Sequence, residues 1–239
     1  MKIRIKTNGI IMFLSFLLIA IFPTLFIRKY SAGLMEEATE ALGIVFILSG
    51  QVLRVSARGY KSEHSHSGHT LIRGGPYLLV RNPMYLGILL IGTGVVLMLF
   101  KWWAACVFLI VFVIRYILLI FKEEKNLEDL FSETYADYCR RVPRLLPSVA
   151  TMLKMNIREY LPLKLSWFKR EMGPILVILF LTLFLESWED IRNGGLGEYL
   201  KEAIVITFIL ILFIILVIYL SKKTATFKDG ASGKSENSL

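Results

Sequence analysis

Long apolar runs alternate with short charged stretches along the whole chain. Runs near membrane-spanning length occupy residues 9–27, 39–55, 84–100, 104–121 and 203–220, and a further one begins at 174–185. A helix of about twenty apolar residues covers the hydrocarbon core of a bilayer. It also satisfies its own backbone hydrogen bonds there. The second run is weakened by Glu40 and Gln51. The pattern predicts an all-α integral membrane protein of about six transmembrane helices. The first run is longer than the apolar core of a signal peptide, and Pro23 is followed by bulky residues, so it reads as a retained span.

The charges alternate with the runs. Segments 1–6, 54–81, 122–171 and 222–223 are basic, whereas 28–38 is neutral and 186–202 is acidic. Basic loops stay on the cytoplasmic side, which puts both termini there. The membrane would be the plasma membrane of a prokaryote or the endoplasmic reticulum of a eukaryote. Between the third and fourth spans, Lys101-Trp102-Trp103 reads as a tight turn with interfacial aromatic anchors. Gly87, Gly92 and Gly94 open span three to close approach by another helix. Residues 61–69 read as a polar loop, 154–170 as an amphipathic helix lying in the interface, and the Ser/Gly/Lys-rich tail from Thr224 as disordered. Four units follow: N-terminal spans at 1–56, a core at 57–147, an interfacial helix with two C-terminal spans at 148–223, and the tail at 224–239.

Composition narrows the function classes. The chain has 239 residues, 55% of them hydrophobic, and a formal net charge of +9. Its mean hydropathy is +0.60. The basic residues stand beside the spans, where membrane lipids explain them and no nucleic-acid partner is needed. Cys106 and Cys139 make no disulfide framework and have no metal-ligand spacing. The C-terminus Glu-Asn-Ser-Leu has no cysteine to be prenylated.

Candidate chemistry gathers in two polar stretches on the same side of the predicted hairpin of spans three and four. Arg81-Asn82-Pro83 follows Gly74-Gly75-Pro76-Tyr77 and precedes Tyr85. Pro83 suits the first turn of span three, with Asn82 as its cap. Free amides at that helix start and the Arg81 fork both suit a carboxylate or phosphate; plain interface anchoring by Arg81 and Tyr85 is the alternative. In the second stretch Leu127, Leu130, Phe131, Tyr135 and Tyr138 share a helical face, flanked one turn earlier by Glu123 and Glu124. Two carboxylates on the inward side need cationic or hydroxyl partners; the alternative is a solvated helix end beside Lys122 and Lys125. Arg115, in mid-span, reads as paired with a site carboxylate or ligand, or with a structural partner. His64, His66 and His69 match no standard zinc spacing, so no metal is expected. His69 stands closest to the first motif.

These residues carry a specific likeness. His69-Thr-Leu71, Gly75-Pro-Tyr77, Arg81, Pro83, Tyr85 and Gly87, followed by Glu123-Glu124, Leu127, Phe131, Tyr135, Tyr138 and Arg141-Val-Pro143, resemble the isoprenylcysteine carboxyl methyltransferase family over about residues 51–147. More widely they are similar to the phospholipid methyltransferases. The resemblance implies transfer of a methyl group from S-adenosylmethionine to a lipidic or prenylated acceptor, a carboxylate first and a phospholipid amine second, at a cytoplasmic-face cofactor pocket. It implies that His69, Gly75, Tyr77, Arg81, Pro83 and Tyr85 line that pocket or its entrance. Glu123 and Glu124 would hold the cofactor's polar groups, and Tyr135, Tyr138 and Arg141 would complete a lid. Catalysis would rest on Arg81, orienting the acceptor, and on Glu124. The sequence departs from the family pattern at Asn82, where His is usual, and at Ser132, where Gly is usual. An NADPH-dependent sterol-type reductase would need further basic residues for the 2′-phosphate, and the Glu-Glu pair argues against it. A non-catalytic scaffold that kept the fold is the other alternative.

Overall fold

The computed structural model describes residues 21–28, 34–65, 70–148, 151, 153, 157–168 and 195–232. Most of the first expected span, all of the fifth, and both His66 and His69 lie outside the described residues. Among the described residues the regular elements are helical: α1 Pro23–Phe26, α2 Leu34–His64, a 3-10 turn at Gly75–Leu78, α3 Pro83–Leu99, α4 Trp102–Arg141, α5 Ile157–Tyr160 and α6 Gly195–Ser232. An antiparallel bridge joins Ile27 to Phe100. Three described helices have the length and composition to cross a membrane, at Met35–His64, Trp102–Arg141 and Ala203–Ser221, and α3 is a shorter apolar helix.

The centre of the fold is the antiparallel pair α2–α3, and glycines set how close it packs. A Cβ at Gly43 would lie 2.9 Å from the Gly94 carbonyl, and one at Gly50 would lie 2.6 Å from the Gly87 carbonyl. Both pairs are seven residues apart on each helix, so one stripe of each presents bare backbone to the other. This is the small-residue packing that membrane helices use in place of a hydrophobic driving force. Gly87 and Gly94 therefore do what the sequence suggested, with Gly50 and Gly43 as partners. Gly92 faces α4, where a Cβ would lie 2.2 Å from the Phe108 ring. Ile44, Ile47, Leu48 and Met98 fill the rest of the α2–α3 seam, and Ile206, Ile209 and Leu210 of α6 pack against them.

The outer faces complete the membrane picture. Val107, Ile110, Ile114 and Leu118 on α4, and Ile204, Phe208, Ile211 and Ile215 on α6, are exposed. Apolar surface on this scale, left bare along two long helices, belongs in lipid. The chain is an integral membrane protein.

Several boundaries differ from the sequence reading. Helix α2 runs past Val55 to His64, so residues 61–64 are helix and not loop. The extension is held by tertiary contacts: Ser56 Oγ donates to the Pro162 carbonyl at 2.6 Å, and the bare Gly59 lets the Trp167 ring sit against it. The amphipathic helix expected at 154–170 is broken, because residues 161–164 around Pro162 are not helical. Its Leu163, Trp167 and Phe168 are not turned to lipid but buried against Val52 and Val55 of α2 and Val217 and Leu220 of α6. Trp167 Nε1 donates to Glu63 Oε1 at 2.8 Å, and Lys164 pairs with the same carboxylate. The Lys101–Trp103 turn is shorter than read: Lys101 caps α4, and both tryptophans are helical. Span four and the Glu-Glu motif are one helix. No proline interrupts residues 203–232, and α6 continues into the stretch read as a tail.

Candidate functional site

Glu124 lies on α4, about one turn beyond the apolar stretch, and is only 7% exposed. A buried carboxylate is costly unless donors surround it, and three do. Asn82 Nδ2 donates to Oε1 at 3.0 Å. Arg144 Nε and Arg81 Nη1 donate to Oε2 at 2.9 Å and 3.3 Å. Arg81 Nη1 also reaches Cys139 Sγ at 2.8 Å. The Arg144 guanidinium lies 4.4 Å from the centre of the Phe121 ring.

Arg144 is 20 residues beyond Glu124. A straight helix rising 1.5 Å per residue would part them by about 30 Å. They meet because α4 breaks at Ser132, where φ is 41° and ψ −116°. The outer arm folds back over the inner one, and its end is stitched to the loop before α3: Arg81 N–H donates to the Pro143 carbonyl at 2.8 Å and Asn82 N–H to the Arg144 carbonyl at 3.2 Å. Asn82 Nδ2 also donates to the Arg144 carbonyl at 3.1 Å. A positive φ at a non-glycine residue is strained, which gives the sequence departure at Ser132 a physical meaning: the hinge of this arm is where glycine would sit without strain.

The fold-back encloses a cavity of about 190 Å³ lined by Tyr77, Arg81, Asn82, Phe131, Tyr135 and Tyr138, among others. Tyr135 and Tyr138 are buried, and Tyr138 Oη donates to the Tyr77 carbonyl at 2.6 Å. The Tyr135 hydroxyl faces Arg81 and Cys139, yet it and Arg81 Nε are buried without a hydrogen bond of ordinary geometry. Buried polar atoms are seldom left so. Burial, and then the nearby Glu123 charge, hold the Tyr77 phenol well above its usual range, so it stays neutral. Burial works to lower the Arg81 pKa, but the Glu124 carboxylate, then Cys139 and Tyr135, outweigh it and leave it raised. The guanidinium is charged at any physiological pH.

The remaining expected residues fall into two groups. Pro83 opens α3 as its first helical residue. Gly75 adopts φ +58°, which a side chain would strain, and with Gly74 it makes room for the Tyr60 ring. Tyr85 Oη donates to Glu123 Oε1 at 2.8 Å, but Glu123 is exposed, so the two adjacent carboxylates are not equivalent. Arg141 is exposed and lines a separate outer cleft with Arg73. Arg115 is exposed on α4. His69 is outside the described residues. Asn82 stands at the N-cap position, but its side chain makes no cap hydrogen bond and serves Glu124 instead.

The sequence reading missed Arg144, Asn82 as a carboxylate donor, and Cys139 as an arginine contact. Arg144 had one available signal, a basic residue directly after Pro143 in a basic stretch. Nothing in the helical periodicity marks the reversal that brings it to Glu124. Among the described residues no group of His, Cys, Asp and Glu is arranged to hold a metal.

Residues 38–134 match the family model of phospholipid methyltransferases. Comparison with curated proteins and with solved structures yields no match. The matched segment holds α2 from residue 38 onward, all of α3, Arg81, Asn82 and Glu124, and ends two residues past the hinge.

Proposed function

We propose, on the premise that residues 38–134 belong to the phospholipid methyltransferase family of membrane methyltransferases, that this protein transfers a methyl group from S-adenosylmethionine to a lipidic acceptor. The observation that carries the reading is the cavity closed by the folded arm, with Arg81, held from behind by Glu124, in its wall. The residues fit the cofactor's chemistry. Tyr77, Tyr135, Tyr138 and Phe131 offer aromatic surface to a cationic sulfonium and to a purine. Arg81 Nε and the Tyr135 hydroxyl are buried there without a hydrogen bond of ordinary geometry, and a polar atom of the ligand would complete them. At about 190 Å³ the cavity is smaller than the ~300–1,000 Å³ usual for ligand sites, so the described walls enclose part of the ligand.

When bound, the cofactor supplies a methyl group already activated on sulfur. The protein has to exclude water and hold an acceptor in line. Glu124 is fully engaged by Arg81, Arg144 and Asn82, which makes it a positioning residue that fixes the arm and aims Arg81. It is not placed as a free general base. Arg81 is the buried one of two cations lining the cavity, the other being exposed Lys61, and would orient an anionic part of cofactor or acceptor. Six spans with both termini cytoplasmic would put this end of α3 and α4 on the cytoplasmic face, where the cofactor is found. The prenylcysteine carboxylate is a second reading of the acceptor, favoured by the engagement of buried Glu124 with three donors: a carboxylate is ionised at neutral pH and needs no base.

The test is transfer of labelled methyl from S-adenosylmethionine by the detergent-purified protein, with phosphatidylethanolamine and a prenylcysteine offered separately. Methylation of either, with saturable S-adenosylmethionine binding, is the expected result. Binding of NADPH in place of S-adenosylmethionine would overturn the reading.

A further inference from the structure

The chain holds two cysteines, both free thiols, and their settings differ. Cys106 stands on the exposed side of α4 within its apolar run, beside exposed Val107 and Ile110. Cys139 stands on the folded arm, partly exposed, and packs with Tyr135, Tyr138 and Val142. Its Sγ lies 2.8 Å from Arg81 Nη1, the same nitrogen that reaches Glu124 Oε2 at 3.3 Å. Two donors beside this sulfur lack a hydrogen bond of ordinary geometry. One is Arg81 Nε, which shares a rigid planar guanidinium with the nitrogen on sulfur. The other is the hydroxyl of Tyr135, a residue only 3% exposed whose side chain faces Cys139. A cysteine against an arginine is by itself no more than a contact. Two buried, unsatisfied donors at its sulfur are different, because they suit an oxygen atom bonded to that sulfur.

Thiols react with peroxides where they are reachable and a cation stands beside them. We propose that Cys139 is a site of reversible oxidation by hydroperoxides, its sulfenic oxygen held by Arg81 Nε and the Tyr135 hydroxyl, which closes the cavity to its ligand. In the reaction a sulfur lone pair attacks one oxygen of the hydroperoxide. The S–O bond forms as the O–O bond breaks, and the leaving alkoxide or hydroxide takes up the thiol proton as alcohol or water. Sulfur loses two electrons and the peroxide gains them. The new oxygen then accepts from both donors, the same two that the cavity offers a ligand. A dithiol reverses the step: its first sulfur displaces the oxygen as water and forms a mixed disulfide, and its second releases Cys139 as a thiol. Naming S-adenosylmethionine as the excluded ligand rests on the methyltransferase reading; the oxidation does not.

The experiment treats the full-length protein in detergent with hydrogen peroxide, traps sulfenic acid with dimedone, and reads each cysteine peptide by mass spectrometry. Cys139 should gain one oxygen, and the dimedone label, at peroxide levels that leave Cys106 unmodified. Tyr135→Phe removes a hydroxyl without an ordinary hydrogen bond, so the fold stays intact, which a thermal midpoint checks. In that variant the sulfenic acid should run on to sulfinic acid faster, because one of its two holders is gone. S-adenosylmethionine affinity, measured on the same samples, should fall about tenfold on oxidation, the loss of one charge-assisted contact, and return with dithiothreitol. Cys139→Ser protein should bind equally before and after peroxide. Oxidation of neither thiol, of both alike, or with a sulfenic lifetime that Tyr135→Phe does not change, overturns the site. Oxidised Cys139 with undiminished S-adenosylmethionine binding overturns the closing of the cavity. If the reduced protein binds no S-adenosylmethionine, the methyltransferase reading falls, and the mass spectra alone decide the oxidation site.

Discussion

Glu123 and Glu124 are neighbours in sequence and opposites in setting. Glu124 is buried and neutralises two arginines, whereas Glu123 is exposed and receives one tyrosine hydroxyl. Replacing one member of a buried ion pair strands its partners and costs on the order of 3 kcal/mol, but exposed hydrogen bonds contribute little. Glu124→Gln should therefore lower the thermal midpoint of the detergent-solubilised protein and abolish cofactor binding. Glu123→Gln should leave both near wild type; equal losses in the two variants would sink the distinction. Sequence reasoning singled out the glutamate pair and Arg81 by their motif spacing, and of these the structure brings Arg81 and Glu124 together. It could not separate the two carboxylates, since burial at the end of an apolar helix depends on what folds over it. Arg144 stayed invisible for the same reason: its role exists only after the chain has reversed.

At the scale of the element, α4 is both a membrane span and a clasp. Periodicity read the inner arm and most of the motif face: Leu127, Phe131, Tyr135 and Tyr138 pack together, whereas Leu130, read onto the same face, is exposed. The break at Ser132 has no periodic signature; it shows only as one residue held at positive φ. Relieving that strain should stabilise the clasp. Ser132→Gly should raise the thermal midpoint, by a free energy of about 1 kcal/mol, even though glycine at an ordinary helix position would cost a similar amount. Differential scanning fluorimetry of the variant decides it, and a lower midpoint would mean that the break is not strained.

The whole molecule was legible where composition alone decides. The described apolar runs became helices, two of them with lipid-facing outer surfaces, and the glycine stripe of span three became a helix seam. Less legible were the contacts of residues 157–168, which read as interfacial but dock on α2 and α6. Their apolar face suits a bilayer and a protein groove equally, and hydropathy does not tell these apart. Cys106, on the exposed face of α4, provides the probe. A nitroxide at Cys106, in a Cys139→Ser background reconstituted into liposomes, should be relaxed by dissolved oxygen far more than by a water-soluble nickel chelate. The reverse accessibility, measured by power-saturation electron spin resonance, would remove α4 from the lipid boundary.

The stitching of Asn82 to Arg144 spans 62 residues, and this fixes an order of events during synthesis. The α2–α3 pair needs nothing beyond residue 99 to close its glycine seam. Glu124 leaves the ribosome after Arg81 and Asn82 but 20 residues before Arg144, and until that residue emerges one of its three donors is missing. The cavity is therefore the last part of this unit to exist. A chain halted between residues 99 and 144 would hold a packed hairpin but no site, and a newborn protein cannot engage a ligand there before its scaffold is already in the membrane.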